Sequence, residues 1–358
     1  MRIGVPREIK DSETRVALTP HGARELTAAG HEVLVEAGAG LKSSFTDDDY
    51  RASGAIVTNV TEAWAADLVL KVKEPLESEY PMLRDNALFT FLHLAANPEL
   101  ARALCTATTL GLSYDTVQAA DGSLPLLAPM SAVAGKLAIL VGAYHLQTHM
   151  HGRGVLLAGV TGVLGASVVV LGAGVAGSHA VEQAVAMGAR VTVLDIAEPA
   201  LERLERQYGE AVRCEMSQPD AVAEAVGQAD LVIGAVLVAG QRAPVVVTHQ
   251  MVLAMKPGSV LVDIAIDQGG CFEDSRPTTH TDPVFTVGGS QLYCVANMPG
   301  AVGLTSTTAL THATLPYVVE LAAGFDEAIS RNPALASGVN TRDGAVVHPR
   351  VRAALESG

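Results

Sequence analysis

At 358 residues, 49% apolar and 17% charged, the chain is long enough for two domains and too apolar to be disordered. A formal net charge of −14 sets its surface against phosphate backbones and anionic lipid, which argues against nucleic acid and membrane partners. The four cysteines form no CxxC pair, so structural zinc and a disulfide framework give way to reduced core thiols in a cytosol.

The opening MRIGVPREIK has no apolar h-region and reads directly as a strand, so no signal peptide is expected and a cytoplasmic location follows. Strand RIGV (2–5) leads to TPHGARELTAAG, where Thr19 suits an N-cap, Pro20 the first helical position and Gly30 the stop. Strand HEVLVEAG, a helix near 47–53, strand AIVT and helix TEAWAA come next. Strands at 67–75 and 87–96, a helix at PELARALCTATTLG and a strand at 112–117 complete a βαβ series, hence a parallel sheet.

A long helix is expected from about 131 to 149. A second βαβ series follows, with strands VVVLGAG, ARVTVLD, ADLVIGAV, SVLVDIAI and LYCVAN. Residues 155–177 are long enough to span a bilayer, but six glycines and turn-like GVTG and GAGVAG favour two buried strands with tight connections. A second long helix over 303–323 should be kinked or ended by Pro316. The expected fold is α/β, with two Rossmann-like, doubly wound parallel-sheet domains joined by these long helices. Residues 1–128 and 305–358 form a discontinuous substrate domain, and 129–304 form the dinucleotide domain.

VVVLGAGVAGSHA carries Gly172, Gly174 and Gly177 after a β-run and before a helical run. In that context the first glycine permits the turn, the second lets a pyrophosphate approach, and the third allows close helix–strand packing. The helix N-terminus supplies N–H groups to the phosphates. Asp195 ends the next strand, 18 residues after Gly177. A carboxylate there suits ribose hydroxyls and repels a 2′-phosphate, so NAD is expected.

Ligands of open parallel sheets bind beyond the carboxyl ends of the strands. Those ends carry Arg7, Lys71, Lys73, His93, Tyr114 and Asp115 in the first half, with Arg15 in the loop after the first strand. In the second half they carry Val236, Leu237, Asp267, Asn297 and Met298. Hydride transfer to a nicotinamide needs an acid/base and a cation for any carboxylate, and no metal. His93 offers an imidazole for the acid/base role, Arg15 offers a planar fork, Lys73 can bind a carboxylate or polarise a carbonyl, and Asp267 can orient the histidine, a water or an ammonium. The duller readings are a core histidine, a surface ion pair at Arg15, a solvated neighbour among Lys71 and Lys73, and a turn aspartate. His145, His149 and His151 read as exposed or facing a helix C-terminal dipole rather than as metal ligands.

Taken in order, MRIGVPREIK, ETRVALTP, LVLKVKEPL, LFTFLHLAA, LPLLAPMSAVAG, GAGVAG, DLVIGAVLVAG, VDIAIDQGG, PTTH and YCVANMPGAV resemble the alanine dehydrogenases from residue 1 to about 323. The tail NPALASG is similar to the actinobacterial type. The resemblance implies oxidative deamination of L-alanine to pyruvate and ammonia with NAD, and the reverse, in a homohexamer. It implies Arg15 and Lys73 as substrate ligands, and His93 and Asp267 as the catalytic pair. Ser131, Asp195, Ser217, Val236, Leu237, Ile264, Asp267, Arg276, Val295, Asn297 and Met298 match NAD-contacting positions. Departures from the family pattern are Ala132 and Asp115 where Glu is usual, Phe91 where Tyr is usual, GVTGV for GVPGV, and no basic residue at Gly303 or Leu304. Alternatives are the soluble NAD(H)-binding component of a proton-translocating transhydrogenase, a dehydrogenase of another small amino or keto acid, and an NAD sensor without turnover.

Overall fold

Short apolar runs separated by capped helices build two α/β units, Met1–Met130 with Gly300–Gly358, and Ser131–Pro299. The computed structural model describes residues 1–236 and 243–357. In chain order the strands are β1 (Arg2–Val5), β2 (Glu32–Glu36), β3 (Ile56–Thr58), β4 (Leu68–Leu70), β5 (Ala87–Thr90) and β6 (Leu110–Ser113). The second unit contributes β7 (Ser167–Leu171), β8 (Arg190–Asp195), β9 (Val212–Met216), β10 (Leu231–Gly234), β11 (Val260–Asp263), β12 (Val284–Val287) and β13 (Ser290–Tyr293). The chain then returns to the first unit with β14 (Val339–Arg342) and β15 (Ala345–Val346).

In the first unit the described strands form one eight-stranded sheet, ordered β15-β14-β6-β5-β4-β1-β2-β3. Strands β1 to β6 pair in parallel, so their carboxyl ends share one edge. The local signals act as read. Thr19 caps the helix Pro20–Ala28 by accepting from the Gly22 N–H at 3.2 Å, and Gly30 then takes φ +86°. Gly4 is dictated by packing, since a Cβ there would lie 1.8 Å from the Ala63 carbonyl oxygen. Strands β14 and β15 are antiparallel additions to the edge. Their short, mixed-polarity segments lack the run of Val and Leu that marks a buried parallel strand.

The second unit is a seven-stranded sheet among the described residues, ordered β12-β13-β11-β10-β7-β8-β9. All pairs are parallel except the β12–β13 hairpin. Val168 and Val170 of β7 enter one apolar cluster, and Val169 and Leu171 the other. Alternate residues therefore fill two cores, which explains an unbroken VVVL run.

Several expectations need correction. Strands stop earlier than the apolar runs suggest, at Leu70, Thr90 and Ser113 rather than at 75, 96 and 117. The first long helix spans Ala128–His145 and is followed by a separate turn, Thr148–Met150. Pro316 neither ends nor interrupts the helix Gly303–Ala323. Burial of Leu310, Val318 and Leu321 around it outweighs the one hydrogen bond a proline removes. Residues 155–166 are not a buried strand. Val160 and Val163 pair across a tight turn, and Leu156, Val160, Val163 and Leu164 are exposed. His145 is buried beside Tyr293, and burial lowers its pKa against the pull of Gln291; His149 and His151 are exposed. Among the described residues no helix is long and apolar enough to cross a membrane.

Candidate active site

In the second unit the glycine turn connects β7 to the helix Val175–Ala186. Gly172 has φ +102°, and a Cβ there would meet the Ala235 carbonyl oxygen at 2.6 Å. A Cβ on Gly177 would sit 1.8 Å from the Gly172 carbonyl oxygen, so helix and strand touch there. Gly174 differs, being exposed, with nothing within 4 Å of where its Cβ would stand. That open cradle beneath a helix N-terminus is what close approach of a pyrophosphate requires.

The turn lies at the switch point of the sheet, where β7 has β8 on one side and β10 on the other. Asp195, at the end of β8, accepts from the backbone N–H of Ala173 at 2.5 Å and of Ala197 at 2.7 Å. Arg203 donates to the Ala173 carbonyl at 2.8 Å and to Ser178 Oγ at 3.1 Å. The other sequence-derived positions of the second unit are placed as follows. Ser217 follows β9, its N–H bonded to the Asp195 carbonyl. Val236 follows β10 and is half-buried; Leu237 lies outside the described residues. Ile264 and the exposed Asp267 share the turn Ile264–Gln268 after β11. Arg276 lies over the Phe285 ring at 4.3 Å. Val295 and Met298 are buried, and Asn297 between them takes φ +61°. Ser131 is half-buried on the helix Ala128–His145.

One residue missed in the sequence holds the Asp267 turn together. Asp263 is fully buried and accepts from the N–H groups of Ala265 and Cys271 and from Ser275 Oγ. Burial raises its pKa despite those bonds.

In the first unit the candidate groups follow β1, β4, β5 and β6 at one edge of the sheet. Arg15 is buried, and Glu13 takes one edge of its guanidinium, with Nε–Oε1 at 2.7 Å and Nη2–Oε2 at 2.6 Å. Its Nη1 donates to Met130 Sδ at 3.0 Å. Lys73 is buried just beyond β4, with its carbonyl accepting from Thr90 Oγ1 at 3.0 Å. Burial pushes the Glu74 carboxyl up, but Lys73, Lys10 and His93 together bring it down, so Glu74 lies within the field of both Lys73 and His93.

His93 does not sit in a strand. It takes φ +48° and ψ +37°, three residues past β5, which turns its ring out of the apolar run; the side chain is 43% exposed. For a non-glycine residue this left-handed backbone stores strain of about 1–3 kcal/mol and gathers at functional sites. The ring stacks on Phe91, centroids 5.8 Å apart and planes 5° apart, and its Nδ1 is 3.9 Å from Asp115 Oδ2. Asp115 is itself held by Ser113 Oγ and by the Leu92 N–H at 3.3 Å.

Lys71 is the clearest correction. It is not solvated but fully buried, bridging Glu8 at 3.1 Å and Glu79 at 3.0 Å. Arg7 is an exposed partner of Glu36. Tyr114 is buried beneath Phe91. The carboxylates Glu8, Glu13, Glu74 and Glu79 escaped sequence reasoning because acidic residues are expected at the surface. Their only signal is spacing, Glu13 two residues before Arg15 and Glu74 next to Lys73.

Comparison with known proteins fits this geometry. Residues 4–134 match the model described as alanine dehydrogenase/PNT, N-terminal domain, and residues 138–349 its C-terminal domain. The protein called alanine dehydrogenase from Mycobacterium tuberculosis (strain ATCC 25618 / H37Rv) is 55% identical over 98% of this chain and 96% of its own length. A solved L-alanine dehydrogenase superposes with a TM-score of 0.96 at 46% identity, covering 100% of this chain and 99% of that one. A solved transhydrogenase from Sinorhizobium meliloti gives 0.84 at 27% identity, covering 98% of this chain and 99% of that one. Two domain models in sequence order and a full-length relative above half identity leave one assignment: this chain belongs to the alanine dehydrogenase/PNT family.

Proposed function

We propose that this chain catalyses the reversible oxidative deamination of L-alanine, in which L-alanine, NAD⁺ and water give pyruvate, ammonium, NADH and a proton. One observation carries the reading beyond family membership. Two buried cations, Arg15 and Lys73, and the outward-turned His93 share one sheet edge in the first unit. A carboxylate and a carbonyl or amine on adjacent carbons call for that set.

In this reading Arg15 binds the substrate carboxylate through its planar donors. Lys73 binds the carboxylate and polarises the carbonyl oxygen of pyruvate. His93 takes and returns protons as water adds to the imine and ammonia leaves, and Asp267 assists as the second catalytic residue. NAD supplies the hydride acceptor when bound. Gly172, Gly174, Gly177, Ser131, Asp195, Ser217, Val236, Leu237, Ile264, Asp267, Arg276, Val295, Asn297 and Met298 form its proposed site. The Asp195 carboxylate at the turn argues for NAD over a 2′-phosphorylated cofactor. A cytoplasmic homohexamer is proposed with it, and the exposed Leu156, Val160, Val163 and Leu164 suit burial between copies.

The test is absorbance at the NADH band with NAD and a panel of small L-amino acids at alkaline pH. A signal strongest with L-alanine supports the reading. Silence with NAD still bound replaces it with a transhydrogenase component or a sensor.

Two glycines separate folding from cofactor binding. Gly174→Val should lower the melting temperature only slightly, because a Cβ there meets open space and the cost is confined to the helix N-cap. It should raise the Kd for NADH at least about tenfold by filling the pyrophosphate approach. Gly177→Ala should instead destabilise the second unit by about 1–3 kcal/mol through overpacking. Thermal melting and NADH fluorescence titration read both, and equal Kd values for Gly174→Val and wild type would remove the glycine turn from the site.

A further inference from the structure

Arg15 lies on an irregular loop between β1 and the helix Pro20–Ala28, so secondary structure does not fix its direction. An arginine there has many rotamers, and a substrate carboxylate binding it would have to order them. Glu13 removes that freedom. Its side chain is fully buried, against 3% exposure for Arg15. It holds Nε and Nη2 side-on, and Oε1 also accepts from the Arg15 backbone N–H at 2.9 Å. Three bonds from one carboxylate fix both ends of the arginine, and bidentate pairs of this kind set orientation as well as energy. Burial pushes the Glu13 carboxyl up, but the bonds and charge of Arg15 and the charge of Lys73 bring it down to about 2. It therefore stays ionised across the working pH range. Its field also reaches Lys73.

We propose that Glu13 is a positioning residue for the substrate carboxylate, aiming the Arg15 guanidinium and offsetting one of the two positive charges that Arg15 and Lys73 bring to the site. The inference rests on the alanine dehydrogenase reading above. With Arg15 and Lys73 positive and Glu13 negative, these three groups carry one net positive charge, suited to a monocarboxylate. Loss of the Glu13 charge has two consequences. Arg15 loses its direction, and the local charge rises by one in favour of dianions.

The experiment compares Glu13→Gln with wild type in the reductive direction, using pyruvate, ammonium and NADH, with oxalate as a dianionic inhibitor. KM for pyruvate should rise at least about tenfold while KM for NADH stays within about twofold, the pattern of lost ground-state binding. Oxalate inhibition should weaken less than pyruvate binding does, because the added positive charge favours a dianion. A purely structural glutamate would lower the amount of active protein and leave both KM values and their ratio unchanged, which would overturn the proposal. Where Glu13→Gln melts below the assay temperature, Glu13→Asp carries the test. It keeps the charge but shortens the reach, so KM for pyruvate should still rise severalfold, and an unchanged KM again overturns the proposal. Wild-type protein that neither turns over nor binds pyruvate sinks the alanine dehydrogenase reading and this inference together. Normal wild-type turnover with an unaltered variant sinks the inference alone.

Discussion

Replacing His93 by asparagine is expected to lower turnover of L-alanine by about 10²–10⁴-fold, the usual worth of a positioned acid/base. Asparagine is the informative choice because it tolerates the left-handed backbone that His93 adopts, φ +48°. The local strain is then kept while the titrating ring is lost. Melting temperature and NADH affinity should match wild type, since the ring is 43% exposed and contributes little to the core. Stopped-time absorbance at the NADH band, at saturating L-alanine and NAD, measures the effect. Turnover within about threefold of wild type would mean that the ring does not exchange protons with substrate, and that the outward turn after β5 serves something else.

The second large effect is on stability. Lys71→Met is expected to cost about 3–5 kcal/mol, because it strands the carboxylates of Glu8 and Glu79 in an apolar interior. Burial works against the Lys71 ammonium, but the two carboxylates more than compensate and hold its pKa above the usual lysine value. A raised folded pKa means that this stabilisation is fully present below the unfolded value of 10.5 and is lost only as pH rises through the folded one. In the variant the sign reverses. Glu8, already pushed up by burial, loses the cation that opposed the shift, so protonation relieves it. The gap between wild type and variant should therefore narrow as pH falls from about 7 towards 5. Trp64, the single tryptophan, lies with its ring 5.7 Å from Lys71 Nζ, so its fluorescence follows unfolding of the first unit. A urea midpoint unchanged between the two proteins would refute the bridge as a stabilising element.

These two residues also mark the boundary of what a linear reading reaches. Both follow strand-like apolar runs, and sequence alone gave them similar status as polar side chains at strand ends. Long-range contacts separate them. His93 is carried outward by a backbone turn, whereas Lys71 is drawn inward by Glu8, which is 63 residues away in the chain.

Signals confined to one strand, one turn and one helix were legible. The run VVVL, the glycines that follow it and Asp195 at the end of the next strand predict a parallel strand, a tight turn and a carboxylate closing the following strand. The structure has that succession, since each step depends on neighbours in the chain. The Thr19 cap, the Gly30 stop and the motifs of the family were legible for the same reason. Tertiary structure decided where the runs cease to be strands: β4, β5 and β6 stop at Leu70, Thr90 and Ser113, although single backbone bonds such as Phe91 N–H to the Val72 carbonyl still tie the segments beyond them. It decided that Pro316 stays inside a helix, since burial around it exceeds the cost of one missing hydrogen bond. It left the apolar stretch 155–166 largely exposed although its composition reads as core. Above all it chose the partners of the buried charges. An isolated glutamate or lysine reads as surface, and only the fold brings Glu13 against Arg15 and Glu8 against Lys71, where mutual neutralisation makes burial possible.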